Sequence, residues 1–118
     1  MIELLPTDVE NVIGFRMSGK IAARDLEQVT GTIEAKLRDH AKVSVYAEVE
    51  SFDGMSLDAL WHDLKFTLRH FQDVEKEAIV TDREWLTGLA GLGSVFAAGE
   101  VRVFPAERKP EALAWVKG

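Results

Sequence analysis

Five carboxylates crowd one short stretch of the 118-residue chain: Glu48, Glu50, Asp53, Asp58 and Asp63. Two carboxylates at one site can share acid and base work when their surroundings push their pKa values apart. The series lies around the end of an apolar segment, Val43–Val49, but the sequence sets no paired nucleophile or oriented histidine beside it. The simpler reading is an acidic loop that aids solubility or orders its own turn. The alternative is a small-molecule enzyme using carboxylates near Asp53.

The remaining reactive residue types are sparse. His62 and His70 stand eight residues apart with Asp63 and Asp73 near, but a metal site wants a further well-placed donor and the HExxH pattern is absent. Both histidines read as surface imidazoles, and His40 as a neighbour of a helix's negative end. Gly88, Gly91 and Gly93 resemble a phosphate loop only superficially, because no strand precedes them and no Gly-Lys-Ser/Thr follows. Cysteine is absent, which excludes disulfides, thiolate metal sites and cysteine nucleophiles. The residues therefore point away from an enzyme, and neither a cofactor nor a metal is expected.

Periodicity supplies the elements that must carry these residues. Met1–Leu5 and Val12–Met17 read as a hairpin around a polar turn, with Gly14 marking a bulge or a close backbone approach. Ala22, Leu26, Val29, Ile33 and Leu37 then recur at helical steps, ending near His40. Val43, Val45, Ala47 and Val49 restore a two-residue alternation. Leu57, Leu60, Trp61, Leu64, Leu68 and Phe71 form the stripe of a second helix, with Ser56 at its N-cap position and Phe66 on its opposite face. A strand follows at Glu77–Thr81, and Asp82 suits the cap of a third helix. From Trp85 to Gly99 no side chain is charged. A helix apolar on every side must be covered on more than one face, and its three glycines weaken it. Val101–Phe104 is the last strand, and Pro110 opens a fourth, short helix.

The expected fold is α/β: one domain over residues 1–118, with a mixed, mostly parallel five-stranded sheet, an N-terminal hairpin and four helices. A composition of 47% hydrophobic and 29% charged residues suits an ordinary globular chain. The formal charge of −6 argues against a broad nucleic-acid surface, and no nucleic-acid partner is expected. The N-terminus, with Glu3 and Asp8 and no basic flank, does not read as a signal peptide, and no apolar window is long enough to span a membrane. A cytoplasmic location is the default expectation.

Four segments carry a resemblance: Asp58–Phe66, Ala78–Trp85, Glu100–Pro105 and Glu111–Trp115. Together they resemble the SpoIIAA-like branch of the STAS (sulfate transporter and anti-sigma factor antagonist) superfamily, most specifically through Trp61, Asp63, Leu64, Lys65 and Phe66. The resemblance implies a small α/β domain, a homodimer, and relatives that include phosphorylation-switched anti-anti-sigma factors and transporter regulatory domains. It also implies a link to apolar ligands or membrane surfaces. In the anti-anti-sigma factors an Asp-Ser-Ser-Gly turn carries the phosphorylated serine. The corresponding turn here contains Asp53, Met55 and Ser56: Asp53 matches, Met55 takes the phosphorylated position, and Ser56 falls one place late.

Two functional expectations follow. The first is a non-enzymatic module that offers Trp85, Leu86, Leu89, Leu92, Val95 and Phe96 to an apolar small molecule, a lipid, the inner face of the membrane or a second subunit, with Phe66 as a dimer contact. The second is a phosphorylation-controlled protein-interaction module of the anti-sigma factor antagonist type.

Overall fold

The computed structural model of the chain describes residues 1–50, 56, 62, 72–81 and 100–118. Strands β1 (Ile2–Leu5), β2 (Val12–Met17), β3 (Val43–Val49), β4 (Val74–Val80) and β5 (Glu100–Phe104) form one sheet in the order of the chain. The pair β1–β2 is antiparallel and every later pair is parallel. This is the mixed, hairpin-led sheet that the periodicity predicts.

A sheet with a helix on each face must be apolar on both sides. β3 meets that demand through its two-residue period. Val43, Val45 and Ala47 face helix α1 (Ala23–Leu37), whose Leu26, Val29 and Ile33 stripe packs on them together with Ile2, Ile13 and Phe15. Tyr46 faces the other way, into a second cluster with Val12, Ala78, Val80 and Phe104. That cluster is closed by Ala112 and Val116 of helix α2 (Lys109–Lys117).

The helix ends follow from local chemistry. At the start of α1 the Asp25 carboxylate accepts the Ala22 backbone N–H at 2.9 Å, which satisfies a donor the helix itself leaves unpaired. Before α2, Pro105 holds an extended backbone and the chain makes one 3-10 turn, Ala106–Arg108, which the sequence does not signal. Pro110 in the first turn of α2 sacrifices no hydrogen bond there, and Lys117 lies in the last turn, where a cation is favourable.

Two expectations need correction. Where the sequence predicts four helices, the described residues contain two, and each has a reason to exist because each covers one face of the sheet. The apolar stripes at 57–71 and 82–98 lie outside the described residues, except His62, whose backbone is helical. β4 begins at Val74 rather than Glu77, since Glu75, Lys76 and Glu77 conceal a strand that pairs with β3 from Val43 onward. Lys76 is anchored despite its charge: its ammonium donates to the Trp115 carbonyl at 3.2 Å and lies 5.4 Å from the centre of that indole.

At Gly14 the structure decides between bulge and close approach. The register of β2 runs past Gly14 without a shift on either neighbouring strand, so there is no bulge. A Cβ there would stand 2.9 Å from Thr7 Cγ2 and 3.1 Å from the Leu5 carbonyl oxygen. Thr7 is fixed in turn, its hydroxyl donating to the Val12 carbonyl at 2.7 Å. Gly31, on α1, faces open space. Gly14→Ala is therefore expected to destabilise the protein by about 1–3 kcal/mol. Gly31→Ala is expected to stabilise it by roughly 0.5–1 kcal/mol. Urea melts of the two variants, read against the wild type, check both signs.

Candidate functional site

β3 places Tyr46 and Glu48 two residues apart, hence on the same face of the sheet, toward α2. Register then aligns Glu48 with Arg16 on β2, and Arg16 with Glu3 on β1. Three charged side chains thus stand in a row across three adjacent strands, near the carboxyl ends of β2 and β3.

Glu48 is 7% exposed. Its Oε1 accepts the Arg16 Nε–H at 3.2 Å and lies 3.2 Å from Lys109 Nζ at the start of α2. Its Oε2 accepts the Tyr46 hydroxyl at 2.7 Å. Arg16 also approaches Glu50 Oε1 at 3.2 Å and Glu3 Oε1 at 3.1 Å. A carboxylate taken from water is costly unless its lone pairs are used by charged or polar donors. Here donors from β2, β3 and α2 converge on it.

Burial pushes the Glu48 carboxyl up, but the hydrogen bonds from Tyr46, Lys109 and Arg16 outweigh it and hold the group below the usual glutamate range. Burial, then the bond to Glu48, drives the Tyr46 phenol well above its ordinary value. The hydrogen bond to Glu48 likewise raises Arg16. Such a carboxylate is a poor general base at neutral pH, since three donors already hold it and its proton affinity is low. The cluster orders three elements; it does not activate a nucleophile.

Beside it is a cavity of about 300 Å³, lined among the described residues by Glu48, Val49, Glu50, Val80, Thr81, Ala106 and Lys109. It sits at the carboxyl ends of the parallel strands β3 and β4, where open α/β sheets usually hold ligands.

Of the residues singled out from sequence, Glu48 and Glu50 join this cluster. Ser56 is half-buried, and its backbone N–H donates to the Ile21 carbonyl at 3.0 Å, which ties it to the approach to α1. Asp53, Met55, Asp58, Asp63, Phe66, His70 and the series Trp85, Leu86, Leu89, Leu92, Val95 and Phe96 lie outside the described residues. His62 differs from a free surface imidazole: its Nε2 lies 3.0 Å from the hydroxyl of Thr30, a buried residue of α1. His40 Nε2 is 3.6 Å from Glu10. No group of three metal-ligating side chains occurs among the described residues.

Sequence reasoning missed Arg16, Tyr46 and Lys109. A signal was present for two of them: Arg16 is a charge inside an apolar strand, and Tyr46 shares the parity of Glu48. Lys109 gave none, because its contact depends on how α2 docks.

The cluster fixes a pH dependence. A carboxyl whose folded pKa is depressed stabilises the fold fully above its unfolded pKa, near 4.3. That contribution is lost as pH falls through the lower folded value. Glu48→Gln should therefore cost about 1–3 kcal/mol at pH 7, by weakening charge-assisted bonds to partly exposed partners. The gap between variant and wild type should close as pH falls below the usual glutamate range. Denaturant melts at a series of pH values check the trend, and a gap that widens on acidification contradicts it.

Three comparisons with known proteins bear on this site and fold. The family model described as SpoIIAA-like matches residues 12–117. Among curated proteins, none matches. An uncharacterised protein with a SpoIIAA-like fold from Shewanella loihica PV-4 is similar at 28% identity and a TM-score of 0.80, over 98% of this chain and 92% of that one. The anti-sigma factor antagonist SpoIIAA in its unphosphorylated form shares the fold, with a TM-score of 0.60 at 13% identity, over 100% of this chain and 99% of that one. With a sheet, a helix arrangement and a family model in agreement, the chain belongs to the SpoIIAA-like family.

Proposed function

We propose that this protein is a non-enzymatic regulatory module, a phosphorylation-controlled protein-interaction domain of the anti-sigma factor antagonist type. The observation that carries the reading is the state of Glu48. The carboxylate best placed for acid–base work at the strand ends is consumed by Arg16, Lys109 and Tyr46. What the sheet then offers at that end is a pinned, shaped surface. The likeness of the whole chain to an antagonist solved in its unphosphorylated form supports the same reading. Ser56 is the residue that would carry the phosphoryl group, one place later than in the antagonists' turn. A phosphoserine adds about −1.5 to −2 charges at neutral pH, enough to alter recognition of a protein partner.

Protein purified from its own cells is expected to include a form with one added phosphoryl group, mapped to Ser56 and absent from Ser56→Ala. Ser56→Asp is expected to lose about ten-fold in affinity for a partner that Ser56→Ala still binds. No phosphopeptide at Ser56, together with equal binding by the two variants, rejects the switch.

A second reading rests on the uncharged run from Trp85 to Gly99. Apolar area there would gain about 25 cal/mol per Å² on leaving water, which suits an apolar small molecule, a lipid or a membrane face. Flotation with liposomes is expected to carry the wild type upward and to leave Leu92→Asp behind. Equal behaviour of the two, with the wild type unbound, rejects this second reading.

A further inference from the structure

We propose that the cavity between β3, β4 and α2 binds a small zwitterion, one molecule carrying both an ammonium and a carboxylate, of which a free apolar amino acid is the simplest case. The inference goes beyond the interaction reading and does not depend on it. Its basis is the charge arrangement on the wall. The cavity is lined by the Glu48 and Glu50 carboxylates and the Lys109 ammonium, with Val49, Val80 and Ala106 as its apolar part.

Glu48 is held by three donors, and the two charges flanking it are less engaged among the described residues. Among the described residues Glu50 meets Arg16, through Oε1, and no described donor meets its Oε2. Among the described residues Lys109 has one ion-pair partner, Glu48 Oε1, for an ammonium with three N–H donors. A carboxylate and an ammonium with spare capacity therefore face the same space.

Their separation is bounded. Lys109 Nζ reaches Glu48 Oε1, that oxygen reaches Arg16 Nε, and that nitrogen reaches Glu50 Oε1, each step being 3.2 Å. The Glu50 carboxylate and the Lys109 ammonium are thus no more than about 10 Å apart, on the geometry of three such contacts. An ammonium and a carboxylate on one carbon, each a hydrogen bond from its partner, span roughly 9 Å. A volume of about 300 Å³ lies at the lower end of small-molecule sites, which suits a short side chain against the apolar wall. A simple cation or simple anion would meet only one of these two groups. The fit is to both signs at once.

The test is amide chemical-shift titration of the full chain with L-valine, and in separate arms with isobutylamine and isobutyrate, which carry one charge each. L-valine is expected to shift the amides of Val49, Glu50, Thr81 and Ala106 and to saturate at about millimolar concentration. Either single-charge probe should bind about ten-fold more weakly or not at all. Glu50→Gln, at an exposed carboxylate, and Lys109→Gln should each weaken L-valine about ten-fold. Glu50→Gln guards against a loss of folding in the second variant. Absence of shifts with L-valine overturns the proposal, as does equal binding of a single-charge probe, or L-valine binding that Glu50→Gln leaves unchanged. None of these results touches the Ser56 switch, which has its own readout.

Discussion

The structure depends on keeping one carboxylate out of water and ionised. Glu48 lies on a central strand and shares its face of the sheet with Tyr46, Ala78, Val80 and Phe104. An unpaired carboxylate there would cost several kcal/mol and would take up a proton instead. The chain meets the constraint by bringing a guanidinium from β2, a phenol from β3 and an ammonium from α2 to the same two oxygens. Such a cluster is weak evidence for net stability, since desolvation offsets much of the attraction. Its firmer consequence is orientation. α2 could slide along an apolar face at little cost, but Lys109 has one place where its charge is matched.

The same constraint separates structural from chemical carboxylates. Glu48 is held by three donors, while Glu50 is more than half exposed and, among the described residues, tethered by one oxygen. Proximity in sequence made the two look like a pair that could divide acid and base roles. Their environments instead give one a fixed structural duty and leave the other facing the cavity.

Much of the sheet was legible because its strands obey a two-residue period. Val12–Met17 and Val43–Val49 were bounded correctly, since both are apolar runs ended by polar turns. β4 was read short because its first half is charged, and only pairing with β3 makes Val74 and Lys76 part of a strand. The helix count fared worse: a periodic stripe shows which face could be buried, not what covers it. Membership of the family was legible from short aromatic and acidic segments. The charged cluster was hidden for a different reason. Arg16, Glu48 and Lys109 are remote in sequence, and cross-strand register together with helix docking, neither of them local, brings them into contact. The N–H of Ser56 meeting Ile21 is of the same kind.

Strand order that copies chain order has an effect on assembly at the ribosome. The layer beneath α1 is built from residues between Ile2 and Ala47, with Val74 added at its margin. It can close while the final strand and helix are still being synthesised. The opposite layer cannot, because Phe104, Ala112 and Val116 arrive last. Until then Glu48 has its arginine but not its lysine, so the arrival of α2 both seals the second apolar layer and brings a cation to the charge beneath it.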